Sequence, residues 1–242
     1  MPSHFVIAID GPAGAGKSTL ARALASRLGY VFLDTGAIYR TLALACQRST
    51  ESSADTPASV WDDEVAVCLV ANDLVRNQRI RFVHYVGEQR VLLDGEDVSE
   101  AIRMPHISDG ASTVSAHPRV REALLSLQRD VSARDDVVVE GRDTGTVVFP
   151  HAAVKFFLTA TPMERAKRRC EELRSKGLSA DPENTLAAIL ERDRRDEQRA
   201  AAPLQRADDA IDIDTTAMSI DQVLDAMLCH VGRISSVRAR VR

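Results

Sequence analysis

Gly11-Pro12-Ala13-Gly14-Ala15-Gly16-Lys17-Ser18-Thr19 is the stretch that decides the fold. It matches G-x-x-x-x-G-K-[ST], the pattern of a phosphate-binding loop. Such a loop turns its backbone N–H groups onto a phosphate chain, so glycine is needed where a Cβ would block the approach or where φ is positive. In this reading Lys17 reaches the β- and γ-phosphates and the Ser18 hydroxyl holds Mg²⁺. A helix starting near Lys17 adds unpaired N–H groups and the positive end of its dipole.

The flanks give that motif its required context. Phe5-Val-Ile-Ala-Ile9 precedes it as a strand, and Leu20, Ala21, Leu24, Ala25 and Leu28 follow at helical spacing. The chain has 242 residues, enough for a large hydrophobic centre, and is poor in aromatics. Abundant alanine, valine and leucine suit an α/β sheet covered on both faces by helices. With a net charge of −4 and no basic aromatic stripe, a nucleic-acid polymer is excluded as the expected partner. Cys46, Cys68, Cys170 and Cys229 lack C-x-x-C or metal-ligand spacing and read as thiols in a reducing compartment. No signal peptide or apolar span of membrane length occurs, which predicts a cytoplasmic protein. The lack of an extensive apolar surface stripe predicts a monomer.

Along the chain, Tyr30-Val-Phe-Leu33 reads as a second strand, leading into Asp34-Thr35-Gly36-Ala37-Ile38-Tyr39-Arg40. Asp34 or Thr35 can cap the next helix, whereas Arg40 has no evident local duty and is expected to meet a ligand. Residues 49–59 are rich in Ser, Thr, Asp and Pro and read as a loop or linker. A helix over 61–74 precedes a meander of short strands at 80–85, 90–93 and near Val98, which suggests a separate antiparallel lobe. Two helical patterns follow, over 107–114 and from Pro118 to Val131. Val137-Val-Val-Glu140 and Val154-Lys-Phe-Phe-Leu158 return to the core as buried strands. The basic helix from Pro162 reads as a solvated face or part of a lid over the triphosphate. In the next helix, over 183–202, Arg192, Arg195, Asp196 and Arg199 share one face by spacing. A strand over 210–214, a helix over 220–231 and a frayed basic tail complete the reading.

Six stretches in order, Gly11 to Thr19, Asp34 to Arg40, Leu93-Asp-Gly-Glu-Asp-Val-Ser99, Pro118-Arg-Val-Arg121, Gly141-Arg-Asp-Thr-Gly-Thr-Val-Val-Phe-Pro150 and Glu191 to Arg199, resemble bacterial cytidylate kinases. The resemblance covers residues from about 5 to 230. It implies a P-loop kinase core with a five-stranded parallel sheet over 1–62 and 133–232, including a helical lid over about 163–202. It also implies an enlarged monophosphate-binding insert over 63–132, leaving 233–242 as a tail. The implied reaction is phosphoryl transfer from ATP, with Mg²⁺, to CMP or dCMP. Thr35, Arg40, Arg142 and Arg199 then match contacts to the acceptor phosphate, with Lys17, Arg142 and Arg199 catalytic. Ser112, Arg121 and Asp143 match contacts to cytosine, and Arg192 and Asp196 match contacts near the sugar.

Some positions depart from the family pattern. Thr35 stands for a frequent Ser, Ile38 for a frequent Met, Glu140 for Asp, Asp109-Gly110 for an Asn-Ala pair, and His117 for an aromatic. A GTP-operated switch is the rival from another class, and its N-K-x-D guanine reader is absent, because Asn72, Asn77 and Asn184 are the only asparagines and none precedes lysine. A small-molecule kinase of another specificity shares the loop and lid but leaves the large insert unexplained.

Overall fold

The computed structural model describes residues 4–50, 60–85 and 88–241, so most of the predicted 49–59 loop lies outside the described residues. The order is β1 (Val6–Asp10), α1 (Lys17–Leu28), β2 (Val31–Asp34), α2 (Thr35–Thr50), α3 (Glu64–Arg76), β3 (Ile80–Tyr85), β4 (Glu88–Leu93) and β5 (Glu96–Asp97). Then come α4 (Pro105–Val114), α5 (Pro118–Asp130), β6 (Val137–Glu140), β7 (Val154–Thr159), α6 (Pro162–Ser175), α7 (Pro182–Gln198), β8 (Ile211–Asp214) and α8 (Ile220–Val241). The chain is an α/β protein with a five-stranded sheet in the order β2-β6-β1-β7-β8. β1 runs parallel to β6 and to β7, and β7 parallel to β8. Every residue of β1 and β6 is buried, which is why both read as unbroken apolar runs with a carboxylate only at the carboxyl end.

Two compact units divide the chain, Met1–Phe32 with Ser132–Arg242, and Leu33–Val131. The second begins at Leu33, so it takes in α2, which the sequence reading left with the core.

In the first unit, Ile7, Ile9, Leu24, Phe156 and Leu158 form the fully buried centre. Gly11 leaves β1 with φ +147°, and a Cβ there would stand 2.0 Å from the Leu158 carbonyl oxygen. Only glycine lets the loop start against β7. At the other end of this unit α8 continues to Val241, where the sequence reading had a helix over 220–231 and a frayed tail from Ser235. Gly232 lies inside it, a cost of about 1 kcal/mol that a long helix tolerates.

The second unit packs α2, α3, α4 and α5 with β3 and β4 around Leu42, Leu74, Ile102, Ile107 and Leu124. β3 and β4 pair antiparallel from Ile80 with Leu93 to Tyr85 with Glu88. Asp94 and Gly95, both at positive φ (54° and 86°), turn the chain into β5, which pairs antiparallel with β4. Trp61 meets both departures, Gly110 through its indole ring and His117 through its backbone carbonyl. Its Nε1 donates to the Ala43 carbonyl at 3.0 Å, and its own carbonyl lies 2.8 Å from His117 Nε2. A Cβ on Gly110 would meet the ring at 2.5 Å. Gly110→Ala is therefore expected to destabilise the protein by about 1–3 kcal/mol despite alanine's better helix propensity. Trp61→Leu is expected to recover part of that loss. Denaturant melts of the two single variants and the double variant check it, and additive effects would contradict it.

Candidate active site

β1 delivers Asp10 to the base of the P-loop, and its buried carboxylate is fully occupied. Oδ1 accepts from the amide and hydroxyl of Thr144, both at 2.8 Å, and Oδ2 accepts from the Gly145 amide at 2.7 Å. Burial pushes the Asp10 carboxyl up from its ordinary range, and these three hydrogen bonds oppose the rise. Residues Thr144–Val148 form one turn of π-helix directly after Arg142-Asp143. The wide turn and the Asp10 clamp together fix where those two residues leave β6.

Lys17, the first residue of α1, is buried and donates from Nζ to the Pro12 carbonyl at 2.7 Å. Its ammonium pKa is pulled down to about 7, first by desolvation and next by repulsion from Arg142, with Arg192 adding to it. Glu140 and Asp10 pull the other way. Arg142 is half-buried, and Asp196 Oδ2, 2.8 Å from its Nε, together with Glu140 and Asp193 more than offsets its desolvation. Asp196 is held below the ordinary carboxylate range against its own desolvation by Arg142, Arg192 and Arg199.

Asp181 caps α7 by accepting from the Asn184 amide at 2.8 Å, and Pro182 fills the first turn. The helix ends at Gln198, so Arg199 is extended rather than helical as the 183–202 reading had it. From there it donates to Asp143 Oδ1 at 3.3 Å. Within this unit, Lys17, Arg142, Asp143, Arg192, Asp196 and Arg199 thus form one linked set of charges. Arg195, expected on the same face, is exposed and faces Glu191 at 3.9 Å. Spacing along an ideal helix put it among the others; the helix rotation does not.

In the second unit, Asp34 caps α2 through the Ala37 amide at 3.1 Å and binds Arg40 at 2.6 Å. Arg40 therefore does have a local partner, contrary to the sequence reading, and that pairing holds the Asp34 carboxyl below its usual range against burial. Thr35 is buried beside it in the chain. Arg121, also buried, lies 5.3 Å from the Tyr39 ring centre and donates to the Ser115 carbonyl at 3.2 Å. Ser115 in turn donates to the Ser112 carbonyl at 3.0 Å. The buried Ser112 hydroxyl has no hydrogen-bond partner among the described residues. A buried hydroxyl in that state is an expensive group to keep unless something else satisfies it.

A family profile described as "Cytidylate kinase" matches residues 7–233. The chain is 52% identical to a cytidylate kinase of Syntrophotalea carbinolica over 94% of this chain and 92% of that one. It is 48% identical to a cytidylate kinase of Geobacter sulfurreducens, over 92% and 91% respectively. The chain belongs to the cytidylate kinase family. An uncharacterized protein from Eubacterium ventriosum, solved by crystallography, shares the fold alone, with TM-score 0.50, 12% identity, and coverage of 95% of this chain and 99% of that one.

Two residues that organise this site, Asp10 and Arg165, were missed by the sequence reading. Asp10, the last residue of an apolar strand, was legible in principle, because a carboxylate ending a fully buried strand needs partners. Arg165 was hidden in a run of basic residues, yet its side chain is only 5% exposed.

Lys17 gives a pH prediction. With a pKa near 7 it is mostly neutral at pH 8 in the free protein, and a bound polyanion raises that pKa, so binding takes up a proton. Calorimetric titration of ATP at pH 8, in buffers of different ionisation enthalpy, should give uptake of about one proton per site. Lys17→Met should give none, and equal uptake by both proteins would contradict the assignment.

Proposed function

We propose that this chain transfers the γ-phosphoryl group of ATP to CMP or dCMP, giving ADP and CDP or dCDP. The observation that carries the reading is the linked cationic set around Lys17 and Arg142, fixed at the P-loop by the Asp10 clamp, in a chain of the cytidylate kinase family. Donor and acceptor bring several negative charges to one point. Transfer requires that charge to be neutralised and the acceptor oxygen aligned with the γ-phosphorus.

Gly11 to Thr19 hold the donor's phosphates through backbone amides and Lys17. Thr35, Arg40, Arg142 and Arg199 hold the acceptor phosphate. That phosphate is already largely ionised at neutral pH, so no side chain is needed to take its proton. Arg142 and Arg199 rest on Asp196 and Asp143 in the free protein. Phosphate oxygens replace those partners on binding, which keeps each guanidinium compensated throughout. Asp143 and Ser112 then face the cytosine amino group, Arg121 faces N3 and O2, and Arg192 and Asp196 hold the sugar. Uracil reverses the polarity at positions 3 and 4, leaving buried groups unpaired.

Mg²⁺, when bound, neutralises donor phosphate charge. Among the described residues no group of three or more His, Cys, Asp or Glu side chains could cage a metal. This suits an ion that takes most ligands from phosphate and water, with the Ser18 hydroxyl as a protein oxygen and Glu140 orienting its water. Among the described residues no helix is long and apolar enough to cross a membrane, and all four cysteines are free thiols. These features support a cytoplasmic enzyme, which we take to be a monomer.

An ADP-release assay across CMP, dCMP, UMP, AMP and GMP tests the reading. CMP and dCMP should be used well and UMP much more weakly, and equal rates on AMP and CMP would refute the specificity. Arg121→Ala should weaken CMP binding by about 10-fold or more while leaving ATP affinity unchanged. Calorimetry with each nucleotide decides it, and a parallel loss of both affinities would contradict the role.

A further inference from the structure

Three residues at one-turn spacing, Asp193 and Asp196 on α7 and Arg199 just beyond it, each close on a partner in the same unit. Asp193 Oδ2 lies 2.6 Å from Arg165, Asp196 Oδ2 2.8 Å from Arg142 Nε, and Arg199 NH2 3.3 Å from Asp143 Oδ1. The second and third pairs are built from residues assigned above to the acceptor, so a bound monophosphate exchanges their partners. The first contains no such residue.

Arg165 stands one turn into α6, with its side chain only 5% exposed. Nε donates to the Ala160 carbonyl at 2.9 Å and NH1 to the Ala13 carbonyl at 3.1 Å. Ala13 lies in the middle of the P-loop. The amides of such a loop serve the phosphates, which leaves its carbonyls to be held from behind. The loop also touches the Arg165 backbone: a Cβ on Gly14 (φ +77°) would stand 3.0 Å from Arg165 Cβ and 3.2 Å from its carbonyl oxygen. One guanidinium therefore joins the loop that grips the donor to the helix that carries Arg192 and Asp196 and leads to Arg199. Asp193 is itself buried, and its Oδ1 makes no hydrogen bond among the described residues, so its charge is answered by the ion pair with Arg165 and, at longer range, by Arg142.

We propose that Arg165 is a positioning residue, and that the Arg165–Asp193 pair couples donor binding at the P-loop to acceptor binding by the residues of α7 and its end. The inference rests on the functional reading above, because it needs Arg192, Asp196 and Arg199 to meet the acceptor. Arginine is required rather than lysine. A compact ammonium can answer the charge of Asp193 but lacks the planar fork that also reaches Ala13 and Ala160.

The test is calorimetric titration of CMP into the full chain, with and without a non-hydrolysable ATP analogue, for the wild type, Asp193→Asn and Arg165→Lys. In the wild type the analogue should tighten CMP binding by about fivefold or more. In both variants that ratio should fall to within about twofold of unity, with the analogue's own affinity changed less than about threefold. Asp193→Asn keeps the side-chain shape, so it remains readable if Arg165→Lys misfolds. An undiminished ratio in Asp193→Asn, or no coupling in a wild type that binds both ligands, overturns the inference. A wild type that fails to bind CMP at all overturns the functional reading beneath it instead.

Discussion

The Asp10 carboxylate, buried at the end of β1 and accepting from Thr144 and Gly145, is the interaction on which the core site depends. A desolvated carboxylate is costly unless its lone pairs are filled, and three donors from the segment after β6 fill them. The same bonds fix the π turn and so aim Arg142 and Asp143. Because β1 also launches the P-loop, one side chain registers the phosphate cradle against the arginine that answers the charge of the transferred group. Gly145 belongs to that device: a Cβ there would come within 3.3 Å of Asp10 Oδ2 and 3.1 Å of Lys155.

Around that clamp the protein maintains more buried cationic charge than a stable fold needs. Lys17 is dry and repelled by two arginines, and it stays only because Glu140, Asp10 and the Pro12 carbonyl partly compensate it. Arg142 and Arg199 are each neutralised by a carboxylate of the same set. This arrangement stores the charge complement of a phosphate without leaving guanidiniums bare. Lys17, the least compensated member, sits where the donor supplies the missing negative charge.

Much of this was legible in sequence where local chemistry is self-contained. Strand, glycine loop and helix define the P-loop, since each part has its own pattern, and β6 and β7 stand out as short runs rich in Val and Phe, with β8 an alternation of Ile and Asp. The charged partners were less legible, because they are set by long-range packing. Arg40 looked free of local duty until the turn at Thr35 brought Asp34 back to it. Arg192, Arg195, Asp196 and Arg199 were grouped by helical spacing, but Arg195 faces outward near Glu191, and Arg199 joins the set from beyond the helix end at Gln198. Gly110 and His117 read as departures and became intelligible only with Trp61 lying against both. The composition of α6 is that of a solvated helix, and nothing in a single sequence distinguishes the arginine that turns inward.

The central claim is that Lys17 is kept buried for phosphoryl transfer and at the expense of stability. Lys17→Met tests it most directly, since it replaces the ammonium by an apolar side chain of similar length, and both kcat and Tm are read on the same preparation. The account predicts that kcat for ATP and CMP falls by about 10²-fold or more while the Tm of the free protein stays level or rises. A variant that keeps its kcat but melts many degrees lower would show that Lys17 serves the fold instead, and would contradict the account.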